Sequence, residues 1–128
     1  MKKFINPKGM GKEPVMYSHG VLVSFPKTLF TAGQVAMDDQ GNVIGKGDIK
    51  IQTEHIMENM KKILAEAEMN FDNVIKVNIY LVNMNDLPEV IAVRNRYLQP
   101  NRPAATAVEV VGLVNPDLLL EVEVVAAR

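Results

Sequence analysis

The sequence contains no cysteine and no tryptophan, and only 5% of its 128 residues are aromatic. Without cysteine the chain forms no disulfide, holds no metal through thiolates and uses no cysteine nucleophile. The lack of disulfides agrees with a reducing compartment. The scarcity of aromatic side chains leaves few of the stacking surfaces on which single-stranded nucleic acids bind.

An excess of one charge and long apolar runs are also missing. Fourteen basic residues stand against fifteen acidic ones, a formal net charge of −1, whereas nucleic-acid and anionic-membrane binders usually carry a basic excess. No stretch approaches the ~18 apolar residues of a membrane helix, and no apolar segment follows the N-terminal lysines as in a signal peptide. We therefore expect a cytoplasmic protein that binds neither membranes nor nucleic acid.

The residues that are present describe one globular domain spanning 1–128, because 48% are hydrophobic and 23% are charged. Glycines and prolines among lysines predict an irregular arm over 1–14. Helices are expected where apolar residues recur at three- and four-residue steps, and strands where they alternate. The predicted elements are strands 21–25 and 29–37, a helix 49–69, a strand 73–82, a helix 87–98 and strands 105–111 and 118–127. This β-β-α-β-α-β-β order indicates an α+β domain with two helices packed on one face of a mostly antiparallel sheet.

The last predicted strand has two different faces. One face is wholly apolar: Leu118, Leu120, Val122 and Val124. The other face mixes apolar and acidic side chains: Leu119, Glu121, Glu123 and Val125. Two helices can cover only one sheet face, so the mixed face would leave apolar groups in water or bury carboxylates. An interface between copies of the chain, partly lined by carboxylates, would resolve both problems and predicts an oligomer.

Five segments, in this order and spacing, resemble the Rid family of reactive intermediate deaminases, also called YjgF-type or endoribonuclease L-PSP-like proteins. The segments are YSHGV (17–21), LFTAGQVAMDDQGNVIG (29–45), NVIKVNIYLVNMNDLPEV (73–90), RPAATAVEV (102–110) and PDLLLEVEVVA (116–126). The resemblance runs from about Asn6 to the end of the chain. It implies a chorismate-mutase-like fold and a homotrimer with ligand clefts between subunits. Active members hydrolyse enamines and imines derived from amino acids, and they need no metal or organic cofactor.

The resemblance also implies roles for particular residues. Glu123 matches the carboxylate that orients the attacking water, and Tyr17 matches a tyrosine that lines the cleft. Gly33 matches a backbone contact to the ligand, and Thr31 of the same segment is a further candidate for substrate binding. A carboxylate is the expected group here, because water must lose a proton as it adds to the C=N carbon.

The arginine that binds the substrate carboxylate in active members is absent, since Ala105 stands in its place. Ala107 occupies a small position that is often cysteine, and Ile91 replaces a ligand-contacting asparagine. A bidentate guanidinium is the best receptor for a carboxylate, so its loss should cost at least ~10- to 100-fold in catalytic efficiency. The chain thus resembles an arginine-lacking branch, with weak activity expected on simple 2-imino acids. Arg102 is the nearest alternative cation in sequence.

Other features of the sequence leave the function open. Arg94 and Arg96 are predicted to face water from the second helix. His55 and Glu58 are one helical turn apart, but His19 is the only other histidine, so no metal site is predicted. The alternative to an imine hydrolase is a non-catalytic trimer that binds a small metabolite or a protein. Ribonuclease or translation-inhibitor activity, also attached to this family, has little support from a chain of net charge −1.

Overall fold

The computed structural model describes residues 1–6, 8, 17–18, 20–25 and 27–128. In this part of the chain the elements are β1 (Lys2–Ile5), β2 (Gly20–Val23), β3 (Thr28–Phe30), α1 (Ile49–Glu66), β4 (Val74–Leu81), α2 (Leu87–Leu98), β5 (Ala104–Glu109) and β6 (Leu120–Ala127). Short 3-10 turns at Phe71–Asn73 and Met84–Asp86 precede β4 and α2. The predicted α+β class is confirmed.

The first helix begins where the sequence predicts and ends earlier. The carboxylate of Asp48 accepts hydrogen bonds from the backbone N–H groups of Lys50 and Ile51, at 3.0 and 3.1 Å, and so caps the first turn. The helix ends at Glu66 rather than near residue 69, because Glu68 turns into the left-handed region with φ 56°. The N–H of Met69 then closes onto the carbonyl of Leu64 at 2.8 Å. Because no glycine marks this helix end, it could not be predicted from the sequence.

A four-stranded sheet in the order β3-β6-β4-β5 carries the core. β6 pairs antiparallel with both β3 and β4, and β4 pairs parallel with β5, so the sheet is mixed. The parallel pair arises because α2 connects β4 to β5 by a crossover. Both helices pack on the same face of this sheet. The largest fully buried core side chains include Ile56, Met60 and Leu64 of α1, Ile79 and Leu81 of β4, and Leu118 and Leu120.

β6 has the two faces that the sequence predicts. Leu120, Val122 and Val124 point towards the helices and are at most 4% exposed, whereas Glu121 and Glu123 alternate with them on the other side and are half-buried. We call the sheet face away from the helices the open face. Its other residues are Phe30, Lys76, Asn78, Tyr80, Thr106, Val108 and Val125. Phe30 is 75% exposed and Val108 is 41% exposed, so this face is partly apolar and uncovered in a single chain.

The N-terminal region contains more regular structure than the predicted arm over 1–14. β1 pairs antiparallel with β2, with Lys2 opposite Val23 and Phe4 opposite Val21, in a separate two-stranded sheet. The side chain of buried Asn101 links β1 to the rest of the fold, because its Oδ1 accepts a hydrogen bond from Lys2 Nζ at 3.0 Å. Residues 7 and 9–14 of the predicted arm lie outside the described residues.

The strand predicted over 29–37 is shorter, because regular pairing stops after Phe30. The N–H of Thr31 still donates to the carbonyl of Val124 at 3.1 Å, but the N–H of Val124 donates to the Thr31 hydroxyl, Oγ1, at 3.0 Å. A side-chain oxygen thus replaces a backbone carbonyl and interrupts the ladder. The chain returns to β6 at Gln34, whose N–H donates to the carbonyl of Val122 at 2.7 Å.

Candidate functional site

Glu123 is held on the open face by two donors from β4. It lies opposite Asn78, whose Nδ2 donates to Glu123 Oε1 at 3.1 Å. The hydroxyl of Tyr80, one diagonal step away, donates to the same oxygen at 2.6 Å. The hydrogen bonds from Tyr80 and then Asn78 lower the pKa of Glu123, and the same contact raises the pKa of Tyr80. Glu123 is therefore ionised and Tyr80 protonated at neutral pH.

Glu121, two residues earlier, lies opposite Tyr80 in the strand register, and its carboxyl group approaches the backbone at Gly33. A Cβ atom built on Gly33 would be 2.6 Å from Cδ of Glu121, closer than real side chains approach. Because glycine has no side chain, position 33 leaves room for the Glu121 carboxyl group on the open face. The sequence predicted Gly33 and Glu123 in one site; the structure places Gly33 in contact with Glu121. We call Glu121, Glu123, Asn78 and Tyr80 the acidic strip.

Thr31, predicted to bind substrate, has a hydroxyl already engaged in the sheet. Its Oγ1 accepts from Val124 N at 3.0 Å and so fixes the segment that leads into Gly33. This contact gives Thr31 a structural role in positioning the loop beside the acidic strip.

A cavity of about 250 Å³ lies on the helix side, between α2 and β5. We call it the helix-side cavity. Its lining is mostly apolar and includes Tyr17, Ile79, Leu87, Ile91, Arg94, Ala105 and Ala107. Four of the residues that the sequence predicted for the site, Tyr17, Ile91, Ala105 and Ala107, are therefore brought together here.

The acidic strip and the helix-side cavity lie on opposite faces of the same sheet. Ala105 and Ala107 point inwards and pack against the core, whereas Glu121 and Glu123 point outwards from β6. Because successive side chains of a strand face opposite ways, neither carboxylate can reach the cavity of its own chain through the sheet. The structure thus divides the predicted site residues into two groups on opposite faces of the sheet.

The arginines are distributed differently from the prediction. Arg94 was predicted to face water, and this is wrong, because it is only 5% exposed and lines the helix-side cavity. Arg96 does face solvent, where its Nη2 forms an ion pair with Glu54 Oε1 at 2.6 Å. Arg102 is not among the described residues that line the cavity, and its carbonyl accepts from the Ser18 hydroxyl at 2.7 Å.

Sequence reasoning missed Arg94, Asn78 and Tyr80. The signal for Arg94 was its spacing, because a residue three positions after Ile91 shares its helix face. Asn78 and Tyr80 were visible as polar positions of an alternating strand. Their contact with Glu123 depends on the pairing register of β4 and β6, which alternation alone does not give.

The remaining sequence candidates are surface or loop features. His55 lies beside the loop before α1, with Nε2 3.0 Å from the carbonyl oxygen of Met37. Among the described residues no group of three or more histidine or acidic side chains is placed to hold a metal ion. His19 lies outside the described residues. In the same described part of the chain, neither helix is apolar enough to span a membrane.

Comparison with known proteins places these features in a family. A sequence model of the family described as Endoribonuclease L-PSP matches residues 10–128. A RutC family protein of Pyrococcus abyssi is 39% identical over 122 residues, which cover 95% of this chain and 91% of that protein. A RutC family protein of Pyrococcus horikoshii is 39% identical over 128 residues, or 100% of this chain and 99% of that one. The solved structure of the Rid family protein YyfB of Yersinia pestis superposes with a TM-score of 0.88 at 30% identity, covering 99% of this chain and 98% of that one.

Two helices packed on one face of a mixed sheet define an α+β domain of the chorismate-mutase-like class. Within that class, the chain belongs to the Rid family, the YjgF-type or endoribonuclease L-PSP proteins.

Proposed function

We propose that this protein is a cofactor-free hydrolase of enamine or imine C=N bonds, acting in a cleft between copies of a homotrimer. The observation that carries the proposal is the separation of the acidic strip from the helix-side cavity. A carboxylate that could activate water lies on one sheet face, and a cavity that gathers predicted ligand contacts lies on the other. A neighbouring copy that presents its open face to the cavity would complete the site.

The chemistry needs water to add to the carbon of the C=N bond while a carboxylate takes the proton. The tetrahedral adduct then breaks its C–N bond and releases ammonia, leaving a 2-oxo acid. For a 2-imino acid the balance is one imine and one water giving one 2-oxo acid and one ammonia. Backbone contacts near Gly33 and the side chain of Tyr17 would hold the substrate in the orientation this addition requires.

Two carboxylates compete for the role of base. The resemblance assigns it to Glu123, but both Tyr80 and Asn78 already donate to Glu123 Oε1 and lower its pKa, which makes it a weaker base. Glu121 lies against Gly33, where the backbone contact to ligand was predicted. We therefore favour Glu121 as the group that takes the proton, with Glu123 holding the open-face network beside it.

The test is release of 2-oxobutanoate from 2-iminobutanoate made in situ by an amino-acid-converting enzyme. We expect slow turnover by the unaltered protein, and an increase of about 10- to 100-fold in Ala105→Arg, which restores the bidentate receptor. Glu121→Gln should lower turnover by about 10²- to 10⁴-fold. Glu123→Gln should lower it less, and Glu58→Gln, on the exposed side of α1, should leave it unchanged.

Two results would contradict this assignment. If the unaltered protein is already fast and Ala105→Arg does not accelerate it, the missing arginine is not what limits turnover. If Glu123→Gln is the more damaging variant, the base is Glu123, as the resemblance implies. Loss of activity in Glu58→Gln would mean that the assay reports folding rather than chemistry.

A second candidate is a trimer that binds a small metabolite without chemistry. The apolar lining of the helix-side cavity, with alanine at 105 and isoleucine at 91, favours it. In that case Glu121→Gln and Glu123→Gln would both retain ligand affinity, and no protein variant with an intact cavity would release ammonia from imines. Ribonuclease activity has no comparable observation in its favour.

A further inference from the structure

Arg94 is a buried arginine in the lining of a cavity that is otherwise mostly apolar. Among the described residues that line the helix-side cavity it is the charged one, and it is only 5% exposed. Arg96, two residues later on the same helix, is on the surface in an ion pair with Glu54. The two arginines of α2 therefore have different environments, although the sequence gives them similar neighbours.

Helix geometry explains how Arg94 reaches the cavity. Leu87, Ile91 and Arg94 are spaced by four and three residues, so they share one face of α2. All three line the cavity, together with Ala105 and Ala107 of β5 below them. The two alanines have short side chains, which leaves space between strand and helix beside Arg94.

The chemistry of a buried guanidinium favours an anion. Burial lowers the pKa of Arg94, but arginine remains protonated in proteins, so a positively charged side chain is part of the cavity lining. A guanidinium offers parallel N–H donors that match the two oxygens of a carboxylate, and this pairing strengthens away from water. The nearby amide oxygen of Asn95 accepts from Arg94 Nη2 at 3.3 Å.

We propose that Arg94 binds the carboxylate of a small organic acid whose aliphatic part lies against Ile91, Ala105 and Ala107. This inference rests on the proposed function in one respect, namely that the acid is a 2-imino acid or its 2-oxo acid product. It assigns the carboxylate contact of this chain to a helix residue, and Ala105→Arg would add a second, bidentate contact from the strand. It also selects branched or longer aliphatic substrates over the smallest ones, because the cavity of about 250 Å³ is lined mainly by apolar groups.

The test uses a stable probe, 4-methyl-2-oxopentanoate, and its neutral amide, titrated calorimetrically into the full-length protein. We expect the acid to bind about 10- to 100-fold more tightly than the amide, the difference that a charge-assisted pair provides. Arg94→Met should reduce this ratio to near one, and Arg94→Lys should keep part of it. Arg96→Met is the matched control and should retain the full ratio.

A ratio near one in the unaltered protein, or no detectable binding of the acid at millimolar concentration, overturns the proposal. An unchanged ratio in Arg94→Met also overturns it. If Arg94→Met fails to fold by circular dichroism, the proposal is decided by Arg94→Lys, which must lower the ratio while Arg96→Met does not. These readouts measure binding alone, so an Arg94-dependent ratio without imine hydrolysis refutes the proposed function and leaves the anion site standing.

Discussion

The two faces of the main sheet are formed by the same strands but differ in composition and in what covers them. Towards the helices, β4 and β6 contribute only apolar side chains, and Val77, Ile79 and Val122 are at most 2% exposed. Towards the open face, the same strands contribute an acidic and amide network centred on Glu123. The first face is complete within one chain, because the helices cover it. The second face is polar at its centre and apolar at its edges, with Phe30 and Val108 exposed.

With the proposed cleft between copies, the fold depends on one chain and the site on more than one. Burial of the helix side stabilises the monomer fold, since apolar area leaves water there. The open face gains nothing comparable until a second surface covers it. We therefore expect substitutions on the two faces to differ in how their effects depend on protein concentration.

The largest expected effect is on assembly. Phe30→Asp replaces an exposed aromatic side chain of the open face with a carboxylate, and in the assembled protein that charge would be buried. The lost apolar contact and the buried charge should together weaken association by roughly 4 kcal/mol or more per copy. Sedimentation at micromolar concentration should show a trimer for the unaltered protein and a monomer for Phe30→Asp.

The control for this prediction lies on the opposite side of the molecule. Ile51 of α1 is also an exposed apolar residue, 46% accessible, and Ile51→Asp should leave the assembly intact. If the unaltered protein is a monomer, or if Phe30→Asp still assembles, the open face is not the interface.

A matched pair of substitutions on β6 gives the next largest effect. Val124 faces the helices and is 4% exposed, whereas its neighbour Val125 lies on the open face. Val124→Ala removes two buried methyl groups and should lower the free energy of unfolding by about 2 kcal/mol. Val125→Ala should lower it less at high dilution and more as the concentration rises, because its contacts form only on association.

Thermal unfolding across a hundredfold range of protein concentration would measure this difference. Equal concentration dependence in the two variants would remove the distinction between the faces. If Val125→Ala lowered the free energy of unfolding more than Val124→Ala at high dilution, the assignment of the hydrophobic core to the helix side of the sheet would be wrong.

Most of the fold could be predicted from the sequence, because its strongest signals are periodic. The alternation of β6 and the helical spacing of α1 follow directly from which residues must be buried. The end of α1 could not be predicted, because Glu68 adopts a left-handed conformation that the sequence marks with no glycine. The early end of β3 was also missed, because it depends on a hydroxyl of Thr31 that replaces a backbone acceptor.

Four residues predicted for the candidate site lie together in the structure, but the arrangement of the others was not predicted. Tyr17, Ile91, Ala105 and Ala107 do line one cavity. The partition between Glu121 and Glu123 follows from strand register and from the close approach of Gly33, which no linear pattern encodes. Arg94 was assigned to solvent because charged helix residues usually are solvated, and here the short side chains of β5 leave room for it inside.

The smallest expected effect concerns the network that holds Glu123. Tyr80→Phe removes the main hydrogen bond that lowers the pKa of Glu123, so that pKa should rise towards its ordinary value of 4.5. Since the folded pKa is depressed, this bond stabilises the protein above pH 4.5 and loses its effect as the pH falls through the folded value. The unaltered protein should therefore show a steeper loss of stability in acid than Tyr80→Phe. An NMR titration of the Glu123 carboxyl carbon measures the shift directly, and Tyr97→Phe, on the helix side, should leave it unchanged. If Tyr80→Phe leaves the titration where it was, Asn78 alone holds the carboxylate, and the open face is less ordered by Tyr80 than the 2.6 Å contact implies.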